Sequence, residues 1–379
     1  MTHLSLKEVC VLDLTRLLPG PYASLVLADL GATVVKIEQP GTGDPLRHLL
    51  ASGADGNSVL FELVNRGKKS MTLNLKDPKG RAILLGLARD ADVMLEGFRP
   101  GVTKRLGLDY ETLQEVNPRL IYASLSGYGQ TGPYASRAGH DLNYVGLGGL
   151  LGITGIHDGR PPIPAVPFAD LVGGLWMAVG VVAALFERQR TGRGQYLDIS
   201  MLDGVASLLP VPLAEWLMTG QVPGRSGMHL RGGQACYNVY ETSDGQHVTV
   251  AALESKFWSA FCAAVGREDW VERQNDADQA GLIAELAALF RSQPRSYWTE
   301  LFAQHDCCCE PVLGLDEVFA HPQAVHRGLL HEDQLALPLG GRGAAHPPAP
   351  QLGEHTAELL AQLGYAMVDV VHLRESGAI

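Results

Sequence analysis

The sequence predicts an α/β fold made of a large doubly wound, Rossmann-like domain and a smaller α+β domain. Strand-type runs alternate with helical patterns over the first 126 residues, which is typical of a parallel sheet covered on both faces. After about residue 224 the pattern changes to short β-type runs followed by helices. A chain of 379 residues that is 46% hydrophobic can bury two cores. We place the large domain at 1–223, completed by 329–379, and the small domain at 224–328.

The chain opens with a βαβ pattern. Residues 8–14 alternate as a buried strand, 21–30 have helical periodicity closed by Gly31, and 33–38 form a second strand pattern. The pattern then repeats, with a strand at 70–75, a helix capped by Asp77, a strand at 92–98, a helical segment to Asn117 and a strand at 120–126.

The middle of the chain predicts a Gly-rich loop and two long helices. The loop covers 146–155, and the helices cover 171–190 and 200–219. The uncharged stretch 171–186 is shorter than the roughly 20 residues of a membrane span, so we expect a buried helix there. Further on, Ser243-Asp244-Gly245 joins two β-type runs within 236–253 as a hairpin, and 335–350 reads as an extended connection.

Composition excludes several classes of function. A net charge of −11 with dispersed Lys and Arg argues against a nucleic-acid surface. The six cysteines, three of them adjacent at 307–309, form no CxxC pair, so we expect buried thiols in a reducing cytoplasm and no metal site. The first nine residues are not typical of an export leader, and we expect neither export nor a membrane anchor.

The first βα turn raises the alternative of a dinucleotide site. Glu38 ends the second strand, where a ribose-binding acid would lie. The turn at 16–21, however, offers Gly20 as its one glycine, and its two prolines remove N–H groups that would hold a pyrophosphate. The sequence therefore disfavours an NAD-dependent enzyme.

Three titratable residues are candidates for chemistry. Asp170 precedes the apolar helical run, where it is either an ordinary N-cap or a carboxylate whose charged form the helix dipole favours. His140 lies just before the Gly-rich segment, where a structural and a catalytic role are equally open. Glu254 ends a strand at 248–253 and is uninformative by itself.

Several longer segments resemble the family III CoA transferases, also called the CaiB/BaiF family. The similarity runs from about residue 5 into the last fifty residues. It is carried by LPGP at 18–21, LADLGA at 27–32, GKKS at 67–70, EGFRPG at 96–101, NPRLIYA at 117–123 and RTGRGQ at 190–195.

Within that family, the segment AGHDLNY at 138–144 is similar to the α-methylacyl-CoA racemases. The resemblance implies that His140 and Asp170 are catalytic and that Glu254 supports the histidine. It implies CoA contacts from Arg16, Pro19, Gly20, Thr72, Leu73, Asn74, Leu75, Glu96, Gly97, Phe98, Arg99, Arg105, Ala138, Gly139, Asp141, Leu142 and Asn143. Coenzyme A is then part of the substrate, and we expect no other cofactor.

The chemistry leaves three hypotheses. A racemase needs two acid/base groups flanking the carbon beside the thioester, and His140 and Asp170 could supply them. We expect N–H groups at the start of the following helix to stabilise the enolate oxygen. A CoA transferase needs Asp170 alone, as the nucleophile that forms an anhydride and then an aspartyl-CoA thioester. A non-catalytic acyl-CoA-binding protein would tolerate loss of both residues, which this chain retains.

Two further expectations follow from the resemblance. An arginine common in the family is Gln39 here, so Lys36 or Arg47 could replace its contact with the CoA nucleotide. The family forms interlocked homodimers, which the connections at 210–227 and 335–350 could allow. The apolar residues Trp176, Met177, Trp216 and Met218 could line the acyl pocket, but we expect them in the core.

Overall fold

A computed structural model describes residues 5–49, 58–155, 159–227, 230–331, 334–339 and 346–379. The chain divides into two compact units. Unit 1 comprises Met1–Gly149, Pro164–Leu208 and Gln323–Ile379, and unit 2 comprises Leu150–Ile163 and Leu209–Pro322.

Unit 1 is built on a six-stranded sheet in which every neighbouring pair of strands is parallel. The strand order is β3-β2-β1-β4-β5-β6, so the order reverses between β1 and β4. This confirms the predicted mixed α/β fold with a parallel central sheet. The strands are β1 Cys10–Asp13, β2 Thr33–Glu38, β3 Lys69–Thr72, β4 Val93–Glu96, β5 Ile121–Ser126 and β6 Tyr196–Ser200.

The middle of the sheet is fully buried. Leu12 in β1 pairs with Val35 on one side and Met94 on the other, and all three are at most 2% exposed. Every residue of β4 and β5 is buried as well. Strands covered on both faces read as continuous apolar runs, which is why they were visible in the sequence.

Helices connect the strands of unit 1. The predicted cap at Asp77 is confirmed, since its carboxylate accepts a hydrogen bond of 2.7 Å from Lys79 N. Helices are numbered along the whole chain, and those of unit 1 up to residue 208 are α1 Pro19–Asp29, α2 Val59–Asn65, α3 Pro78–Ala88, α4 Val102–Leu106, α5 Tyr110–Val116, α6 Asp141–Leu147, α8 Phe168–Thr191 and α9 Met201–Ala206, with a 3₁₀ turn at Pro45–His48.

Helix α8 is longer than predicted. It has 24 residues and extends beyond both ends of the predicted 171–190, and among the described helices it alone is long and apolar enough for a membrane span. It nevertheless packs against α1, α9 and β5. Met177 and Val181 are fully buried in that packing, so α8 serves as a core helix of unit 1.

The predicted helix 200–219 is in fact two helices. Helix α9 ends at Ala206, and α10 spans Pro210–Thr219. Proline at 210 has no N–H to donate and its ring obstructs the preceding turn, so it begins a helix instead of continuing one. The predicted loop 146–155 is also partly helical, because α6 runs into it and α7 covers Leu150–Ile153.

Unit 2 contains a three-stranded antiparallel sheet in the order β7-β8-β9. The hairpin predicted around Gly245, which has a φ of 72°, is confirmed. Stacked aromatic side chains, among them Phe261 and Phe290, form its core. Its elements from residue 237 are β7 Tyr237–Glu241, β8 His247–Ala251, α11 Ser255–Ala264, a 3₁₀ turn at Glu268–Arg273, α12 Gln279–Phe290, α13 Arg295–Phe302, β9 Cys309–Pro311 and α14 Leu315–Val318.

The last part of the chain returns to the edge of the central sheet. Thr72 N donates to Thr356 Oγ1 at 3.0 Å, and Asn74 N donates to Ala378 O at 2.8 Å. The predicted connection at 335–350 lies partly outside the described residues. The closing elements are α15 Pro322–Arg327, β10 Leu330–His331, β11 Gln334–Leu335, α16 Thr356–Gln362 and α17 Met367–Glu375.

Candidate active site

A cavity of about 350 Å³ opens in unit 1 where the strand order reverses. In an open parallel sheet this is the place where ligands bind, because the loops after the two central strands diverge there. It is lined by Thr15, Arg16, Leu17, Pro19, Gly20, Gly97, Phe98, Arg99, Pro100, Leu125, Ser126, Gly127, Tyr128, Ala135, Arg137, Ala138, Gly139, His140, Tyr144, Asp170 and Met201.

The turn after β1 forms one wall of this cavity. Leu17 has a φ of 65°, in the left-handed region that side chains rarely adopt, and its N–H donates to Asp44 Oδ1 at 3.0 Å. A Cβ at Gly20 would lie 2.1 Å from Thr15 Cβ, so this position accepts glycine only. Such a strained backbone, held from outside by a buried carboxylate, is typical of a ligand-binding turn.

His140 lies at the mouth of the cavity. It is the N-cap residue of α6, and its side chain is exposed. Its backbone N–H donates to Asn143 Oδ1 at 3.0 Å, which fixes the start of the helix. The imidazole is therefore presented by a capped helix end beside the cavity.

Asp170 reaches the same cavity from α8. The sequence placed it before the helix, but α8 begins at Phe168 after Pro167, so Asp170 lies within the first turn. Burial, and then the charge of Asp141, raise the pKa of Asp170 to about 7. Desolvation and a neighbouring acid thus oppose the effect of the helix dipole, which favours the charged form.

The predicted donors to an enolate oxygen are already occupied. Ala169 N donates to Asp141 Oδ1 at 2.7 Å, and Asp170 N donates to the same oxygen at 3.2 Å. The sequence could not indicate this, since the acceptor lies 28 and 29 residues away along the chain. These two N–H groups thus connect the start of α8 to α6.

A second cavity, of about 720 Å³, lies on the other side of Arg16. It brings together Arg16, Leu73, Leu75, Phe98 and Arg99 of the predicted CoA contacts. It also includes two basic residues that sequence reasoning missed, His48 and Lys76, although Lys76 directly follows the predicted contact segment. The rest of its lining is Leu14, Ile37, Glu38, Gln39, Thr42, Gly43, Asp44, Pro45, Val102 and Leu106.

The two cations proposed to replace the arginine at position 39 are engaged elsewhere. Lys36 is fully buried, with Nζ 2.8 Å from Asp44 Oδ2 and 3.0 Å from Thr15 O. Arg47 forms a bidentate pair with Glu38 at 2.7 and 2.8 Å and lies over the Phe61 ring. That expectation was wrong for both residues, because each is part of the core beneath the cavity.

Glu38 itself is not a ribose ligand. Besides Arg47, its carboxylate accepts hydrogen bonds from Ser70 Oγ at 2.6 Å and Asp44 N at 2.9 Å. An acid that binds a ribose must have a free oxygen facing the ligand. The structure therefore agrees with the sequence argument against a dinucleotide site.

Several predicted CoA contacts make other interactions. Thr72 and Asn74 hold the C-terminal segment, and Asn74 Nδ2 also donates to Gly377 O at 3.2 Å. Glu96 is buried beneath the cavity, accepts from Phe98 N at 2.7 Å, and has its pKa raised by burial to about 7. Of the other four predicted contacts outside the cavity linings, Arg105, Leu142 and Asn143 are exposed and Asp141 is half-buried.

Glu254 belongs to unit 2. It occupies the N-cap position of α11 three residues after the end of β8, and its side chain is exposed. Its proposed support of His140 remains a prediction.

The sequence analysis did not identify the aromatic residues of the cavity wall. Tyr128 packs edge-on against Tyr144 at 5.0 Å and against Tyr134 at 5.5 Å. Burial, the nearby Tyr128 and the charge of Asp170 help to raise the pKa of Tyr144 to about 12. The only available signal was that Tyr128 lies two residues after the end of the strand predicted at 120–126, where parallel-sheet ligands bind.

The prediction that four large apolar residues lie in the core was correct for one of them. Met177 is fully buried, whereas Trp176 and Trp216 are nearly half exposed and Met218 is 81% exposed. The helix α10 carries no buried residue, although almost all its side chains are apolar. Trp176, Trp216 and Met218 therefore lie on apolar surfaces of their own units.

Curated proteins of two different activities are similar to this chain. The sequence model of CoA-transferase family III matches residues 6–356. The chain is 35% identical to the α-methylacyl-CoA racemase of Homo sapiens, over 99% of this chain and 98% of that protein. It is 38% identical to the acetyl-CoA:oxalate CoA-transferase of Acetobacter aceti, over 92% of this chain and 93% of that protein.

Solved structures agree with the sequence comparison. A CaiB/BaiF family protein from Brucella suis superimposes with a TM-score of 0.80 and 32% identity, over 94% of this chain and 98% of that one. The family model, the identity to these relatives and the superposition of the fold each extend over most of the chain. The chain is therefore an enzyme of the CoA-transferase family III.

Proposed function

We propose that this enzyme interconverts the two epimers at the α-carbon of 2-methylacyl-CoA thioesters. The observation that carries the proposal is that His140 and Asp170 line one cavity of about 350 Å³. One group removes the α-proton from one face, the thioester carries the charge as an enolate, and the other group returns a proton to the opposite face. Each positioned acid or base contributes about 10²- to 10⁴-fold to such a rate.

The electrostatics of Asp170 suit this work. A group that must act as a base in one direction and an acid in the other is most effective when its pKa is near the working pH. The pKa of about 7 for Asp170 meets that condition. The exposed imidazole of His140 is a second group that can accept or donate a proton.

The two cavities together can accommodate the CoA part of the substrate. Arg16 and Arg99 line both cavities. They therefore lie where CoA would pass from the cavity that holds its thioester to the cavity that holds its nucleotide. Lys76 adds positive charge to the larger cavity, where an anionic nucleotide would need it, and His48 adds a hydrogen-bonding ring. These are the residues that we expect to compensate for Gln39.

The alternative is transfer of CoA between acyl groups with Asp170 as the nucleophile. The 38% identity to the acetyl-CoA:oxalate CoA-transferase favours it. In that reaction the carboxylate attacks the thioester carbonyl, CoA leaves, and the resulting anhydride is reopened by CoA to give an aspartyl thioester. A raised pKa opposes it, because a protonated carboxyl group is a poor nucleophile.

We further propose that the enzyme is a homodimer of the cytoplasm. The outer face of α8 exposes Leu175, Trp176, Val179 and Phe186, each at least 42% accessible, and a second copy would cover such a surface. All six cysteines lie in the described residues and are unpaired, which suits a reducing compartment. Light scattering on the purified protein tests the dimer, and a monomer at micromolar concentration contradicts it.

The decisive experiment incubates the protein with one epimer of a 2-methylacyl-CoA in deuterated water without an acceptor acid. We expect deuterium at the α-carbon and loss of stereochemical purity. Asp170→Ala should abolish both signals, and His140→Ala should reduce them by at least about 10²-fold. The matched control is His326→Ala, an exposed histidine of α15 outside both cavity linings.

A different result identifies the alternative. If no deuterium is incorporated and CoA instead passes to an added carboxylic acid, the racemase proposal is wrong. A hydroxylamine-sensitive adduct on Asp170 would then establish the transferase reaction.

A further inference from the structure

The side chain of Asp141 joins the two predicted catalytic segments. Asp141 follows His140 and is the first residue of α6. Its Oδ1 accepts hydrogen bonds from Ala169 N at 2.7 Å and Asp170 N at 3.2 Å, in the first turn of α8. The first N–H groups of a helix have no partner within the helix, so a carboxylate from α6 satisfies those of α8.

We propose that Asp141 is a positioning residue that holds the start of α8 against the start of α6. It thereby sets the separation of His140 and Asp170 across the cavity and controls the proton affinity of Asp170. The proposal rests on the proposed function in that it assigns both residues to one reaction. The resemblance named Asp141 only as part of a CoA-contact segment, whereas its carboxylate faces the protein.

The positioning role follows from the geometry. Asp170 N is one of the two donors, so the hydrogen bond is made to the backbone of the reacting residue itself. His140 and Asp141 are adjacent, so any movement of α6 relative to α8 changes the His140–Asp170 separation directly. A misplacement of about 1 Å at a reacting group can cost about 10²-fold in rate.

The electrostatic role follows from the charge of the same carboxylate. A neutral amide at this position could accept the same hydrogen bonds, but Asp141 also places a negative charge beside Asp170. After burial, that charge is the cause that raises the pKa of Asp170. The other polar groups around the site are His140 on α6, Tyr144 on α6, Tyr128 after β5, and Arg16, Arg99 and Arg137 in the cavity lining.

Two substitutions separate the roles. Asp141→Asn keeps an acceptor oxygen for Ala169 N and Asp170 N and removes the charge. We expect its maximal rate to stay within about tenfold, while the ionisation of Asp170 in the pH profile of kcat/KM moves down by about one pH unit. Asp141→Ala removes both the acceptor oxygen and the charge, and we expect a further loss of about 10²-fold in kcat.

The control is a cap of the same kind outside the site. Asp109 caps α5 by accepting from Thr112 N at 3.2 Å, so Asp109→Asn should leave the pH profile unchanged. A wild-type pH profile in Asp141→Asn would overturn the electrostatic role. A wild-type rate in Asp141→Ala would overturn the positioning role.

A stability measurement tests the coupling without any assumption about the reaction. At pH 8 both carboxylates are charged and repel, so Asp141→Asn should raise the urea midpoint more in the wild type than in an Asp170→Asn background. At pH 5, where Asp170 is protonated, the two shifts should converge. Equal shifts at both pH values contradict the proposal. Unequal shifts in a protein that racemises no substrate would leave the Asp141–Asp170 coupling standing and reject only the proposed function.

Discussion

At the scale of single residues, the protonation state of the site depends on the burial of two acidic side chains. Asp170 and Glu96 both have a pKa raised to about 7, and burial is the first cause for each. In both cases the neutral form is favoured in the folded protein relative to the unfolded chain. Two different consequences follow, one for rate and one for stability.

Asp170 should impose a pH dependence on the reaction. In either direction one of the two groups must be ionised and the other protonated, so kcat/KM should be bell-shaped for both epimers, with one limb set by the ionisation of Asp170 at about pH 7. The equilibrium between the epimers does not depend on pH, so the two profiles should have the same shape. Initial rates of deuterium incorporation from each epimer between pH 5 and 9 check this, and a profile without a limb near pH 7 contradicts it.

Glu96 should make the protein less stable as pH rises. Its folded-state pKa of about 7 is above the unfolded value of 4.5, so stability is present below about 4.5 and is lost between there and about 7. Glu96→Gln keeps an acceptor for Phe98 N and removes this loss, which we estimate as on the order of 3 kcal/mol. Urea unfolding at pH 5 and pH 8 measures it. The variant should gain stability over wild type only at pH 8, and an equal change at both pH values would reject this account.

At the scale of secondary-structure elements, α8 determines where Asp170 lies. The helix passes very close to the turn that follows β1, because it has glycine at the crossing. A Cβ at Gly174 would lie 2.5 Å from Pro19 O, which belongs to the backbone and cannot move aside alone. The approach of α8 to the cavity wall therefore depends on this glycine.

Substitution of two glycines of α8 should have opposite effects. Gly174→Ala forces the helix away from Pro19, and we expect a loss of about 1–3 kcal/mol of stability and a raised KM for acyl-CoA. Gly180→Ala is the control on the same helix, since its Cβ would meet only Leu197 Cδ1 at 3.4 Å and Ile199 Cδ1 at 3.8 Å. It should be neutral or gain up to about 1 kcal/mol from helix propensity. Thermal unfolding and KM measurements on both variants test this. Equal effects of Gly174→Ala and Gly180→Ala would contradict the argument that α8 and Pro19 approach closely.

Sequence patterns predicted elements better than they predicted where elements begin and what their side chains contact. The buried strands were visible because apolar periodicity is local, and so was the cap at Asp77. The break before Pro210 was missed because apolar periodicity continues across it. The hydrogen bonds of the Asp141 carboxylate were not predicted, because its partners are 28 and 29 residues away, which no local pattern reveals.

At the scale of the whole molecule, the C-terminal segment closes the core of unit 1. Ala378 is fully buried and Ile379 is 8% exposed, and both belong to the cluster that includes Leu73 and Met71. Ala378 O also accepts from Asn74 N, in the segment that leads to the larger cavity. The end of the chain thus supports a wall of the proposed nucleotide site.

Removal of Ala378 and Ile379 should affect both stability and binding. We expect a loss of about 2–3 kcal/mol from the lost apolar burial. Because Asn74 N loses its acceptor, the 73–76 segment should loosen and the affinity for free CoA should fall. Calorimetric titration with CoA and thermal unfolding measure the two effects, with the exposed change Glu375→Ala as control. Unchanged CoA affinity in a destabilised protein would show that the segment is held by other contacts.

The arrangement of the central sheet also bears on how reactions diverge among related enzymes. Most residues that line the smaller cavity lie in loops or near the ends of helices and strands, whereas Tyr144 lies within α6. Mutations that alter chemistry can therefore accumulate at the rim without disturbing the frame. The two reactions proposed above both require Asp170, and they differ mainly in whether a second proton carrier is needed at position 140. On such a fold, the two enzyme activities are separated by a few substitutions.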